Sequence, residues 1–257
     1  MKDKFFQVPI TTQKTSEGDV DFPILYFDTS CVTAFFLCDM AKVKEQLANV
    51  PLEPDFLIGK KVVVAIAFYE YRDTSIGPYN EVGVALPVVR DREEIHRFPL
   101  LDLYSNPEKR TTGFYVIDLP VTTTAANAAG REVWGLPKFV TEIPFELNGR
   151  NFSSAVMDPK TGKPIVTFKG KMGFGIPTPP LHLKLYSYVD GVELATSVNV
   201  RYGSILRTAG NMKLSVGDSS HPMAERLRAL GLDGATPSAL NSTGNFQSRL
   251  NLGVPVK

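Results

Sequence analysis

Apolar residues recur along this chain mostly in short runs, alternating with polar positions or unbroken, and rich in Val, Ile, Phe, Tyr and Thr. That is the pattern of strands. It predicts them at Cys31–Leu37, Lys61–Tyr69, Val82–Val89, Thr112–Asp118, Ser153–Met157, Pro164–Phe168, Leu181–Val189 and Glu193–Tyr202. Asp190-Gly191, between the last two runs, suits a tight hairpin turn. Helix-period patterns are few. Asp39 caps one that sets Met40, Val43 and Leu47 on a single face and ends before Pro51. Another runs from Pro222 to Leu230, with proline near its start and Gly231 just past its end. Both read as packing elements. Gly173–Pro180 reads as a rigid connector, and the charge run Arg90–Arg97 as a solvated loop. No internal repeat or low-complexity tract interrupts this mainly β pattern.

A chain of 257 residues holds one large core, and a single domain over residues 1–257 is expected. Lys and Arg number 28 against 27 Asp and Glu, so no charged field invites a nucleic-acid partner. The segment Met-Lys-Asp-Lys-Phe-Phe-Gln lacks the apolar core of a signal peptide, and the longest apolar run, Val62–Tyr69, is too short to span a bilayer. A cytoplasmic protein without a membrane partner is expected. Cys31 and Cys38 are oddly spaced within one strand, which sends them to opposite faces and argues for core thiols over an intrastrand disulfide. His96, His182 and His221 have no partner at metal-ligand spacing, so no metal site is predicted. Gly173-Phe174-Gly175 lacks the rest of a dinucleotide fingerprint, and neither a phosphate-binding loop nor a serine elbow is present. No cofactor is expected.

The chemistry concentrates in Gly130-Arg131-Glu132-Val133-Trp134-Gly135-Leu136-Pro137-Lys138-Phe139. Thr124–Trp134 predicts a short helix opened by a threonine cap and stopped by Gly135 and Pro137. Lys138 then falls on the connection beyond it, bracketed by Trp134, Leu136, Pro137, Phe139 and Val140. Burial among such neighbours disfavours an ammonium, whereas an ordinary lysine, with a pKa of about 10.4, is almost wholly protonated at neutral pH. Only the neutral amine attacks carbonyls. On spacing alone, a lysine beside aromatics is more often a snorkelling surface residue.

The stretch Gly-Arg-Glu-Val-Trp-Gly-Leu-Pro-Lys resembles the signature of the acetoacetate decarboxylase family, in which the lysine after the proline forms a Schiff base. The upstream stretch Asp73-Thr74-Ser75, Gly77, Tyr79 and Glu81-Val82-Gly83-Val84-Ala85-Leu86-Pro87 resembles the family segment that carries an active-site glutamate. Weaker similarity runs through Asp39–Pro54, Gly113–Asp118 and Leu181–Leu194. The resemblance implies Lys138 as nucleophile and Glu81 as a buried acid that orients substrate or moves a proton, helped by Tyr79 or Asn80. It also implies an α+β, mainly β fold built on a mixed conical β-barrel with a few peripheral helices, and a homo-oligomer. Arg131, Trp134, Leu136, Phe139 and Tyr79 are the candidate substrate-binding residues, with Arg131 a partner for a carboxylate. Glu132 reads as a brace.

Three positions depart from the family pattern. Phe139 stands where the decarboxylase has a second lysine, so desolvation has to activate Lys138 alone; Thr29 stands near the place of an arginine, and Ala67 near that of a second glutamate. Glu70 is three residues from that place, on the opposite strand face. These departures bear on acetoacetate as the substrate and leave amine chemistry in place. The implied activity is a lyase acting on a keto acid or ketone through an iminium and enamine, by decarboxylation of a β-keto acid. The alternatives are an aldolase-dehydratase joining pyruvate to an aldehyde, and a non-catalytic binder of hydrophobic ligands on the same barrel.

Overall fold

Long β-branched and aromatic runs pair in chain order and close on themselves. In the computed structural model, which describes residues 3–91 and 102–256, seven strands form a closed barrel. They are β1 (Ile24–Asp39), β2 (Lys61–Thr74), β3 (Tyr79–Val89), β4 (Gly113–Val121), β5 (Leu183–Val189), β6 (Val192–Val200) and β7 (Ser248–Leu250). Each pairs with the next, and β7 returns to β1, which in turn pairs with β2. Only β4 and β5 run parallel, so the barrel is mixed, as the resemblance implies. Asp190 and Gly191 both take positive φ (49° and 79°) in the β5–β6 hairpin, the turn their sequence predicts.

The predicted strands are present, and several are longer than the apolar runs that announce them. The β1–β2 ladder continues past the apolar stretch through Asp28, Ser30, Glu70 and Arg72, where Arg72 reaches Asp28 at 2.6 Å and Glu70 at 2.8 Å. Charged side chains facing solvent extend a strand without leaving an apolar signature. Gly173–Pro180 differs from expectation. Gly175–Thr178 is an edge strand on Ser204–Arg207, which continues through Ala239–Thr243 onto β1. An edge tolerates Pro177, whose missing N–H would break an interior ladder. Residues 92–97 of the expected solvated loop, and His96 with them, lie outside the described residues.

Most of the packed core lies outside the barrel wall. Val32, Ala34, Phe36, Val64, Ile66, Phe68, Val82, Val84 and Leu86 face a four-stranded sheet made of Phe145–Asn148, Asn151–Met157, Pro164–Lys171 and Lys213–Val216. There Phe68 stacks on Phe168 at 5.3 Å and meets Phe152 edge-on at 5.5 Å. Helices pack on these strands: α1 (Met40–Gln46) buries Val43 beside β1 and β2, α2 (Thr124–Trp134) lies against β4 and β5, and α3 (Pro222–Ala229) buries Met223, Ala224 and Leu227 against Pro164–Lys171 and Lys213–Val216. The expected Asp39 side-chain cap on α1 is not formed; the Met40 N–H donates instead to the Lys60 carbonyl, because Asp39 is still held in the β1 ladder.

The opposite face of each barrel strand looks inward. Along β1 these residues are Cys31, Thr33 and Phe35; along β2, Ala65, Ala67, Tyr69 and Tyr71; along β3, Glu81, Gly83 and Ala85. Two apolar faces on one strand explain the nearly unbroken apolar runs. The two cysteines follow the alternation: both are buried and free, Cys31 on the inward face and Cys38 in the outer core.

Candidate functional site

Local chain chemistry brings one lysine into the barrel. Thr123 caps α2, its Oγ1 accepting the Ala126 N–H at 3.4 Å, and the helix ends at Gly135 with φ 64°. A Cβ at Gly135 would meet the Tyr188 carbonyl besides. The Leu136 N–H then closes back on the Gly130 carbonyl at 3.0 Å, so the chain reverses and Lys138–Val140 pairs parallel with β4, Lys138 beside Leu119. The expectation of a loop at Lys138 is thereby corrected: it is the first residue of a short strand, and alternation turns Lys138 inward and Phe139 outward. Gly130 gives the lysine its path, since a Cβ there would overlap Cδ and Cε of Lys138.

Inside, Lys138 Nζ meets Glu81 Oε2 at 2.7 Å, and the two residues are only 5% and 7% exposed. The Tyr71 hydroxyl donates to the other carboxylate oxygen, Oε1, at 3.3 Å. Tyr26 and Tyr79 share a hydroxyl hydrogen bond of 3.0 Å, and Nζ lies 5.7 Å from the Tyr79 ring centre. Burial, reinforced by the Glu81 carboxylate, holds the hydroxyls of Tyr26 and Tyr71 above the ordinary phenol range; burial does the same for Tyr69 and Tyr79. All four therefore remain protonated donors. The Cys31 thiol is likewise pushed up to about 12 by burial.

The pair opens into a cavity of about 200 Å³ within the barrel. Leu119, Leu136, Leu183, Leu185, Val116 and Val198 wall it together with the small residues of β2 and β3, Val116 directly beside Ala85. Among the described residues lining it, Lys138 and Glu81 alone carry charge. Ser204, Asn241 and Ser242 lie along the strands beside β1, with the Ser204 hydroxyl donating to Asn241 Oδ1 at 2.8 Å.

The candidate residues divide accordingly. Lys138, Glu81, Tyr79 and Leu136 gather at the pair. Phe139 does not: its ring packs on His221 at 4.6 Å on the far side of the strand. Trp134 is buried beneath α2, its indole N–H donating to the Asn251 carbonyl at 3.0 Å and its ring edge-on to Phe22. Arg131 is exposed and donates to the Lys138 carbonyl at 3.1 Å, so it fixes the backbone and is absent from the cavity wall. Glu132 is a brace, accepting the Ser16 N–H and hydroxyl and tying α2 to the hairpin of Thr11–Thr15 and Gly18–Phe22. The Asn80 side chain donates to the Ile143 carbonyl and gives Glu81 no help. Sequence reasoning missed Tyr26, Tyr69 and Tyr71. The signal for Tyr69 and Tyr71 is the period-two series Ala65, Ala67, Tyr69, Tyr71, which shares a face with Glu81 once β2 and β3 are paired; Tyr26, on β1, has no such signal.

The same architecture and sequence pattern occur in known proteins. An acetoacetate decarboxylase from Legionella pneumophila superposes with a TM-score of 0.63 at 18% identity, covering 99% of this chain and 94% of its own. A second acetoacetate decarboxylase structure gives 0.62 at 18%, covering 91% and 89%. The enduracididine biosynthesis enzyme MppR gives 0.64 at 14%, covering 91% and 88%, and has been solved in complex with pyruvate. No curated protein matches the sequence significantly. Residues 7–207 match the family model described as acetoacetate decarboxylase (ADC), and the chain belongs to that family.

Proposed function

We propose that the protein is a Schiff-base lyase that decarboxylates a β-keto acid, with Lys138 as nucleophile and Glu81 as its proton partner. The observation that carries this reading is the buried 2.7 Å contact between Nζ and Oε2. A proton passing across it yields a neutral amine and a neutral acid together, without help from solvent. The amine adds to the substrate ketone. Glu81 returns its proton to the carbinolamine oxygen, which leaves as water, and the iminium forms beside the regenerated carboxylate. The bond to the substrate carboxylate then breaks; carbon dioxide departs and the electron pair flows into the iminium, giving a neutral enamine. One proton taken up from solvent at carbon restores an iminium, and water hydrolyses it to ketone and lysine. Tyr71 acts as a positioning residue, holding Oε1 so that Oε2 stays on Nζ.

The lining favours decarboxylation over condensation. A retained carboxylate, such as that of pyruvate in an aldol reaction, needs a cation, and Lys138 is the cation available among the described lining residues. A carboxylate that leaves as neutral carbon dioxide needs none afterwards. The aldolase-dehydratase reading keeps one support: MppR, of similar fold, has been solved with the condensation product of pyruvate and imidazole 4-carboxaldehyde. Borohydride reduction in the presence of β-keto acids or pyruvate, followed by intact mass and carbon dioxide release, separates the two. Adducts from both with carbon dioxide from the β-keto acid alone fit decarboxylation, whereas turnover of pyruvate plus an aldehyde fits condensation.

A further inference from the structure

The cavity is organised in layers that run away from the reactive pair. Strand register sets Cys31, Tyr69 and Glu81 side by side, then Thr33, Ala67 and Gly83, then Phe35, Ala65 and Ala85. Each layer is two residues further along, so the third stands about 13 Å beyond Glu81. Acetoacetate would occupy the first. On β2 and β3 the second and third layers offer only methyl groups and a glycine hydrogen; the Leu119 side chain reaches the face of Gly83 and Phe35 flanks Ala65, which leaves the slot along Ala65, Ala67 and Ala85. Val116 borders Ala85 on β4, and Leu183, Leu185 and Val198 continue the wall on β5 and β6. Beyond Lys138 and Glu81 the described residues lining the slot carry no charge.

We infer that the natural substrate carries an extended apolar chain on the carbon side of its ketone, lying between the small residues of β2–β3 and the aliphatic wall, so that the substrate class is a medium- to long-chain 3-oxo acid. The inference rests on the imine reading for the reacting end and on cavity shape for the rest. A buried methylene is worth a nearly constant increment wherever it lies between aliphatic walls, which makes chain length a direct probe. A charged distal group is disfavoured, because the polar side chains Ser204 and Asn241 are neutral and already bonded to one another.

Two homologous series test it on the full-length protein. For straight-chain acids from 3-oxobutanoate to 3-oxododecanoate, kcat/KM is expected to rise about fourfold per added methylene until the layers are filled. The 2-alkanols, which offer Lys138 no carbonyl, should tighten in parallel when followed by calorimetry. Ala67→Leu, which puts bulk in the second layer, should compress the ratio of long- to short-chain kcat/KM by about tenfold or more; if that variant does not fold, the wild-type series still decides. Flat or falling dependence on length in both series overturns the inference. Tightening of the alkanols with no borohydride-trapped 3-oxo acid supports the apolar slot and contradicts the imine reading. Trapping of 3-oxobutanoate with both series flat supports the imine reading and contradicts the slot.

Discussion

Gly130 has no Cβ, and the methylene stem of Lys138 runs through the space one would fill. The α2 helix is thus a track for the lysine, and its single missing methyl sets where Nζ arrives. Gly130→Ala should leave the barrel intact, since alanine suits a helix better than glycine. The stem has to move, and a displacement on the order of 1 Å at a reacting centre costs about a hundredfold in turnover. Circular dichroism and decarboxylation rates on the same sample check this; undiminished turnover would mean that the stem finds another path.

Glu81→Gln should slow turnover by about two to four orders of magnitude, the range for a lost general acid or base. Tyr71→Phe removes only the donor to Oε1, and a hydrogen bond to a charged group of about 1.5–3 kcal/mol translates to roughly ten- to a hundredfold. The discriminating readout is turnover beside thermal stability. A positioning role for Tyr71 lowers kcat at unchanged Tm; a purely structural one lowers Tm and leaves kcat of the folded protein unchanged.

Phe139 follows Lys138 in sequence and stands among the neighbours expected to dry it, but strand alternation places its ring on His221. Phe139→Ser should therefore lower stability by about 1–3 kcal/mol through lost packing while borohydride trapping at Lys138 persists. Thermal denaturation beside trapping yield measures both. Loss of trapping at unchanged Tm would return Phe139 to the site.

These contrasts show what the sequence carries. Barrel strands are legible because short runs of β-branched and aromatic residues are a local signal; Gly135 and Pro137 announce where the helix before Lys138 stops, and the role of the lysine comes from the family resemblance. The tyrosines around Glu81 were hidden, since Tyr71 meets Glu81 only through the pairing of β2 with β3, and Tyr26 joins them only when β1 closes the ring. Trp134, Arg131 and Phe139 looked like site residues by nearness along the chain. A helix end followed by a strand sends consecutive side chains in different directions, so nearness in sequence misled.

Alkaline pH offers a test of the buried hydroxyls and thiol. Cys31, with an ordinary value of 9.0, is raised to about 12 by burial, and the four buried tyrosines around Glu81 are raised above 10.0. An acid whose folded pKa is raised keeps its proton better when folded, so its contribution to stability is full below the unfolded pKa and is lost as pH rises toward the folded one. Stability should accordingly be level up to about pH 9 with respect to these groups, then fall. Tyrosinate absorbance of Tyr26, Tyr69, Tyr71 and Tyr79 should appear together with unfolding. Gradual ionisation of these tyrosines in the folded protein would contradict their burial.

The most direct measurement is covalent. Wild-type protein incubated with a 3-oxo acid and sodium borohydride should gain the mass of one reduced imine, and peptide mapping should place it on Lys138. Lys138→Ala and Lys138→Arg, the latter because guanidinium stays protonated, should gain nothing and turn nothing over while retaining the wild-type circular dichroism spectrum. An adduct mapped to another lysine, or full turnover by either variant, would contradict the account.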